Sequence, residues 1–300
     1  MPEDTYKKSW ARQTRGLLIF LLDQSGSMQQ TLQIRGRTYT NGELATAALN
    51  QLIVSVLNNT SVDPQTGVLK DYCDIFVVGY GDQVTPLLHN GRGLPVSMID
   101  LNAHPRGSRP VLVERYDSAQ RRNVQATEMQ PYWVDYVADS RYTEMAKALQ
   151  KACQVIQDWL RADPRRYKSF PPIVVNITDG EHNGTGDPVE EARRIREVYT
   201  EDGHALVFNC HLTSSGLQRL VFPRSVYEIN AQITNPEERE WARQLFTMSS
   251  MIPRSMVQKA RTSYNAGLED GSHGFIYNAS PSDLIDFLRW GTQPGANLGR

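Results

Sequence analysis

An aspartate and two serines, in Asp23-Gln24-Ser25-Gly26-Ser27, stand directly behind the apolar run Leu17-Leu18-Ile19-Phe20-Leu21-Leu22. They bring one carboxylate and two hydroxyls into a glycine-bearing turn, with no His or Cys among them. An oxygen-only donor set of this kind suits a hard divalent cation such as Mg2+. The same residues also make an ordinary strand-to-helix turn, because Asp, Ser and Gly are turn formers. A second carboxylate, Asp179 of Thr178-Asp179-Gly180-Glu181, follows another apolar run, Ile173-Val174-Val175-Asn176-Ile177. Thr143, at the start of a helical stretch, offers a third hydroxyl, although a threonine there also reads as an N-cap. His182 is a candidate base or added ligand, against the plainer reading of a solvated loop histidine.

Enzyme chemistry finds few of its parts here. Phosphatases that open with an Asp behind a buried strand want a second carboxylate two residues on, and Ser25 occupies that place. There is no Gly-x-x-x-x-Gly-Lys-[Ser/Thr] loop for a nucleotide, and no Gly-x-Ser-x-Gly around Ser25 or Ser27. A Mg2+-dependent hydrolase or phosphatase stays as the alternative to a binding site.

The elements that must position these residues follow from hydrophobic periodicity. A strand apolar at every position is buried on both faces, as in the middle of a parallel sheet. Residues 74–80 and 173–177 read as further buried strands, 205–210 and 274–278 as strands, and 84–89 as a short edge strand. Helices are expected over 42–57 and 142–160, where apolar residues recur at three-to-four spacing. A further helix has Asp187 as cap, Pro188 at its first position and Glu190 completing a capping box. Others follow Asn235-Pro236 and Ser280-Pro281. Small hairpins are expected around Gly36 and around the polar tip 117–123. This alternation implies an α/β fold: one doubly wound, mostly parallel sheet with helices on both faces. In a sheet of order 3-2-1-4-5-6, strands one and four adjoin at the switch point, so Asp23 and Asp179 would face one crevice. The expected organisation is one domain over 16–291, with a β-hairpin insertion at about 82–141 and a helical insertion at about 217–270. Flexible termini are expected at 1–15 and 292–300.

With those residues in order, the chain resembles the von Willebrand factor A (VWA) family. The metal-ion-dependent adhesion site (MIDAS) of that family combines Asp-x-Ser-x-Ser with a distant Thr and a distant Asp. Asp23, Ser25 and Ser27 match the first element, Thr178-Asp179-Gly180 matches the family's Thr-Asp-Gly, and Arg141-Tyr142-Thr143-Glu144-Met145 fits the threonine element without its usual preceding glycines. The resemblance implies a metal held by Asp23, Ser25, Ser27, Thr143 and Asp179, with hydroxyls touching it and aspartates acting largely through water. The metal would be Mg2+, with Mn2+ or Ca2+ as alternatives. It further implies a non-enzymatic module that captures an Asp or Glu of a partner protein. Among VWA proteins the chain looks most like cytosolic bacterial ones associated with tellurium-resistance and kinase–phosphatase operons, which would place it in a signalling, stress or defence complex.

Composition sets the remaining bounds. With 40% hydrophobic and 22% charged residues the chain is of soluble globular type, and its net charge of −1 draws it to neither nucleic acid nor an anionic membrane. Arg106, Arg109, Arg115, Arg121 and Arg122 lie near Tyr116, Tyr132, Trp133 and Tyr136, which keeps an RNA-binding VWA protein as a further alternative. No apolar stretch reaches the roughly 18 residues of a membrane span, and the polar N-terminal stretch has no apolar signal region. Cys73, Cys153 and Cys210 are odd in number, far apart and set in apolar runs. That pattern is expected of reduced core thiols in the cytoplasm.

Overall fold

Every residue of the first strand, Gly16–Asp23 (β1), is buried. Its side chains alternate between two cores. Leu18, Phe20 and Leu22 join one, and Leu17, Ile19 and Leu21 join the other. In the computed structural model, which describes residues 5–34, 36–59, 67, 69–88, 93–117, 122–137, 142–180, 182–212, 219–263 and 268–291, helices cover both faces of the sheet that β1 centres.

After β1 come a small hairpin, Thr31–Ile34 (β2) and Arg37–Thr40 (β3), and the helix Asn41–Asn59 (α1). Cys73–Tyr80 (β4) is buried throughout. Two short strands, Val84–Pro86 (β5) and Val96–Ser97 (β6), lead to the helix Met98–Ala103 (α2) and to a long ribbon, Gly107–Asp117 (β7) and Arg122–Tyr132 (β8). Met145–Ala162 (α3), Ile173–Thr178 (β9) and Pro188–Glu197 (α4) follow, then a two-residue pair, Tyr199–Thr200 (β10) and Gly203–His204 (β11). Next are Leu206–Leu212 (β12) and Leu220–Val221 (β13). Three helices come after these, Val226–Gln232 (α5), Pro236–Met248 (α6) and Arg254–Ser263 (α7). Phe275–Ala279 (β14) and Pro281–Gly291 (α8) complete the described chain.

The main sheet runs β13-β14-β12-β9-β1-β4-β5, with β6 also on β4. The strands from β14 to β4 are parallel, and β5, β6 and β13 are antiparallel edge additions. Counting only the six strands that the alternation predicts, the order is 3-2-1-4-5-6. The fold is therefore the expected doubly wound α/β sheet, and its switch point falls between β1 and β4 on one side and β9 on the other. Helices α1 and α8 supply Leu49, Ile53, Leu284 and Phe287 to one core. Helices α3, α4 and α6 supply Met145, Ile156, Ile195 and Leu245 to the other.

Below the switch point a buried hydrogen-bond chain crosses the sheet. Tyr80 Oη donates to Asn176 Oδ1 at 2.7 Å, Asn176 Nδ2 to Asn209 Oδ1 at 3.0 Å, and Asn209 Nδ2 to Ser249 Oγ at 2.9 Å. Ser249 Oγ then donates to the Leu245 carbonyl at 2.7 Å. Each donor has an acceptor, so these polar groups sit in the core without the cost of an unmade bond.

Several local expectations shift. Beyond the expected edge strand β5, both expected insertions add further edge strands to the main sheet: β6 lies within 82–141 and β13 within 217–270. The ribbon is longer than the apolar alternation indicated, because pairing continues through polar residues from Gly107↔Tyr132 to Asp117↔Arg122. Asp187 caps α4 through the Val189 N–H at 2.9 Å, but Glu190 turns to Arg193 and Arg194 instead of closing a capping box. The tail 292–300 lies outside the described residues.

The N-terminal stretch, expected to be flexible over 1–15, is docked from residue 5 onward. Tyr6 and Trp10 are buried. The Tyr6 ring covers Gly203, where a Cβ would come within 2.6 Å of it and where φ is +139°. Backbone N–H groups of Lys7 and Lys8 donate to the buried Asp202 carboxylate, each at 3.0 Å. Isolated aromatics in a polar stretch give no periodicity, so this docking left no pattern to read. Replacing Tyr6 by Ala should cost about 3 kcal/mol of stability through the cavity and the lost hydrogen bonds. Chemical denaturation checks this, and a wild-type midpoint would show that the stretch is not docked.

Candidate metal centre

Asp23 is the last residue of β1 and is fully buried. Its Oδ1 accepts from the Ser25 N–H at 2.8 Å and its Oδ2 from the Thr178 hydroxyl at 2.6 Å. The turn that follows brings Ser25 Oγ to 3.0 Å from Ser27 Oγ. Ser27 Oγ donates to Asp179 Oδ1 at 2.6 Å. Thus the ends of β1 and β9, adjacent in the sheet, are bound to each other through Asp23–Thr178 and Ser27–Asp179. A Cβ at Gly180 would lie 2.8 Å from Ser27 Oγ, so a side chain there would displace that hydroxyl.

Thr143 lies outside α3, which begins at Met145, later than the periodicity suggested. It is buried and held by its backbone. Its N–H donates to Asn183 Oδ1 at 2.7 Å, and its carbonyl is 2.8 Å from His182 Nδ1. The next residue, Glu144, donates its N–H to the Gly81 carbonyl at 3.1 Å, and its carboxylate accepts from the Thr185 N–H at 3.0 Å. Thr143 is therefore pinned between the loop after β4 and the loop after β9, the two strands that flank β1. Its own side chain is not the N-cap of α3, where Glu144 stands without a side-chain cap bond. His182 is not a free loop side chain: Nε2 is 3.1 Å from the Gly186 carbonyl, so the ring clamps the Thr143 segment.

The electrostatics of the pair are one-sided. Burial is the largest cause that pushes the Asp23 carboxyl up, to about 6, and the nearby Asp179 pushes it further in the same direction. Burial also raises Asp179, against hydrogen bonds from Ser27 and Asn41. Among the described residues, no Lys or Arg acts on either carboxylate. His211, near the end of β12 and within reach of the Asp179 backbone, is pushed down to about 4 by burial and so carries no charge at neutral pH. One buried and one half-buried carboxylate, without a cationic side chain among the described residues and beside hydroxyls whose protons point at them, fit a divalent cation. Among the described residues there is no cluster of three or more His, Cys, Asp and Glu. Hydroxyls and two carboxylates are the donors this place offers, which suits a hard oxygen-seeking ion.

Sequence reasoning missed four residues that shape the site: Asn41, Thr178 as a partner of Asp23, Asn183 and Glu144. Thr178 stood inside a motif already singled out. The others act across long separations that leave no local pattern.

No protein-family model matches the chain, and no curated protein sequence matches it. Solved structures do show likeness. Proximal thread matrix protein 1 from the mussel byssus, with a zinc-occupied MIDAS motif, is 14% identical over 94% of this chain and 48% of its own, with a TM-score of 0.46. A von Willebrand factor type A protein from Catenulispora acidiphila is 11% identical over 79% of this chain and 44% of its own, at 0.38. Manganese-loaded TRAP of Plasmodium vivax is 14% identical over 66% and 57%, at 0.33. The chain spans about half the length of the mussel protein it matches. At these scores the fold assignment rests on this chain's own strand order.

The raised Asp23 pKa gives a pH test. Its folded value of about 6 lies above the ordinary aspartate value of 3.8, so the folded state holds this proton more tightly than the unfolded chain does. Stability of the metal-free protein should then fall as pH rises from about 4 to about 6, by about 3 kcal/mol in all. Asp23→Asn should flatten that slope in denaturation measured in chelator. A metal-free wild type that gains stability across this window would contradict the electrostatics described.

Proposed function

We propose that this chain is a divalent-metal-dependent protein-binding module of the VWA type, which captures an Asp or Glu side chain of a partner protein. The observation that carries the reading is the pair at the switch point, Asp23 buried and Asp179 half-buried, with serine hydroxyls and, among the described residues, no basic side chain acting on either. Ser25, Ser27 and Thr143 would hold the ion directly, with Asp23 and Asp179 acting through water, as the VWA resemblance implies. Mg2+ is the preferred ion, with Mn2+ or Ca2+ as alternatives. Once bound, the cation supplies an electrophilic point that a carboxylate oxygen can complete.

The chain's own residues support binding over catalysis. Ser25 and Ser27 hydrogen-bond to each other, Ser27 donates to Asp179, and both ring nitrogens of His182 face backbone carbonyls. Neither site serine is thereby paired with an imidazole base, the arrangement usual in nucleophilic hydrolysis. For the RNA-binding alternative, Arg106 and Arg109 pair with Asp135, and Arg109 stacks on Tyr132 at 3.8 Å. Those cations are already engaged. No helix among the described residues is long and apolar enough to cross a membrane. Cys73, Cys153 and Cys210 are free and buried, which supports the cytoplasmic part of the proposal. The finer setting, a bacterial signalling, stress or defence complex, rests on the resemblance to tellurium-resistance and kinase–phosphatase-associated VWA proteins.

Affinity capture from lysate tests this. Wild type in Mg2+ should retain a partner that is lost in EDTA and lost with Asp23→Ala. Undiminished capture of the same partner by Asp23→Ala in chelator would sink the reading.

A further inference from the structure

Two polar side chains that the site motif does not include, one bound to Asp179 and one packed beside it on Gly42, come from segments that interrupt the α/β alternation. Asn41 follows the β2–β3 hairpin and is 1% exposed. Its Nδ2 donates to Asp179 Oδ2 at 2.8 Å, whereas its Oδ1 is buried with no hydrogen-bond partner. A bland role as the cap of α1 is already taken. Thr40 and Glu43 form the reciprocal pair there, Thr40 N–H to Glu43 Oε2 at 2.8 Å and Glu43 N–H to Thr40 Oγ1 at 3.1 Å. The Asn41 side chain is thus free to serve Asp179, and its N–H donation to the Gln30 carbonyl at 3.0 Å closes the hairpin that puts it there.

Tyr136 comes from the stretch after β8. Its ring lies across Gly42, where any Cβ would overlap it, so the glycine after Asn41 is what admits the ring. The Tyr136 hydroxyl is also buried without a hydrogen-bond partner. Burial is the largest cause that pushes it up, to about 12, with Asp179, Asp23 and Glu43 acting in the same direction, so the phenol keeps its proton. An amide oxygen on the residue that holds Asp179, and a phenol whose ring packs on the next residue, thus both carry unused hydrogen-bonding capacity.

We propose that Asn41 and Tyr136 are positioning residues of the metal centre. Asn41 fixes the Asp179 carboxylate through Nδ2 and offers Oδ1 to a water on the cation, and the Tyr136 hydroxyl closes the same side. This rests on the metal-binding reading above. Outer partners of this type orient the groups that touch the ion and typically change metal affinity by about 10–100-fold when removed. The two residues also make the hairpin and the ribbon-bearing segment part of the site rather than mere decoration of the sheet.

The test is Mn2+ affinity, read from the electron paramagnetic resonance signal of free Mn2+, together with thermal unfolding of each variant in EDTA. Ser25→Ala serves as the control that removes a direct ligand. Asn41→Ala should weaken Mn2+ binding by about 10–100-fold, and Tyr136→Phe, which keeps the ring on Gly42, by several-fold. Both should unfold in EDTA within a few degrees of wild type, and Asn41→Ser should recover part of the loss. Wild-type affinity in both variants overturns the assignment, as does a loss of affinity that merely follows a loss of metal-free stability. Failure of wild type itself to bind Mn2+ overturns the metal-binding reading along with it.

Discussion

Two carboxylates that repel each other, Asp23 buried and Asp179 half-buried where no basic side chain among the described residues answers them, are the constraint on which this structure turns. Asp23 and Asp179 reach that position because β1 and β9 are adjacent parallel strands ending at the same level of the sheet. In water each would be solvated and indifferent to the other. At the switch point, burial removes that solvation, and hydrogen bonds from Ser25, Ser27, Asn41 and Thr178 restore only part of it. A site built this way is poorly satisfied by protein atoms alone and well matched to a small divalent cation.

The scaffold serves that constraint from both directions. From below, apolar strands with alternating side chains in two cores hold the strand ends in register, and the Tyr80–Asn176–Asn209–Ser249 chain ties three of those strands to the end of α6. From above, the loops after β4, β8 and β9 are bound to one another through Glu144, Asn183 and His182, so Thr143 is fixed by its backbone, not by a flexible side chain. Loops carry the donors, and the sheet supplies their precision. This is the usual division of labour at the carboxyl ends of open α/β sheets.

How much of this could be read from residues alone varies with the range of the interaction. The strands 16–23 and 173–178 were legible because an uninterrupted apolar run has few other uses, and Asp23, Ser25, Ser27 and Asp179 were legible because each follows such a run directly. The position of Thr143 in the chain was legible, but its immobilisation was not. Glu144, His182 and Asn183 act across a separation that leaves no periodic trace. Asn41 was hidden for another reason: an asparagine at a helix start looks the same whether it caps the helix or binds a carboxylate, and only the Thr40–Glu43 pair separates the two. Tyr6 and Trp10 stood in a polar stretch that reads as a loose end, and what seats Tyr6 is a glycine far along the chain, Gly203.

The most direct measurement of the central claim is the anomalous scattering of Mn2+ in crystals grown with that ion. The account predicts one strong peak at the end of β1, about 2.1 Å from the hydroxyl oxygens of Ser25, Ser27 and Thr143. A crevice free of anomalous signal at saturating Mn2+, or a peak bound elsewhere on the molecule, would contradict it.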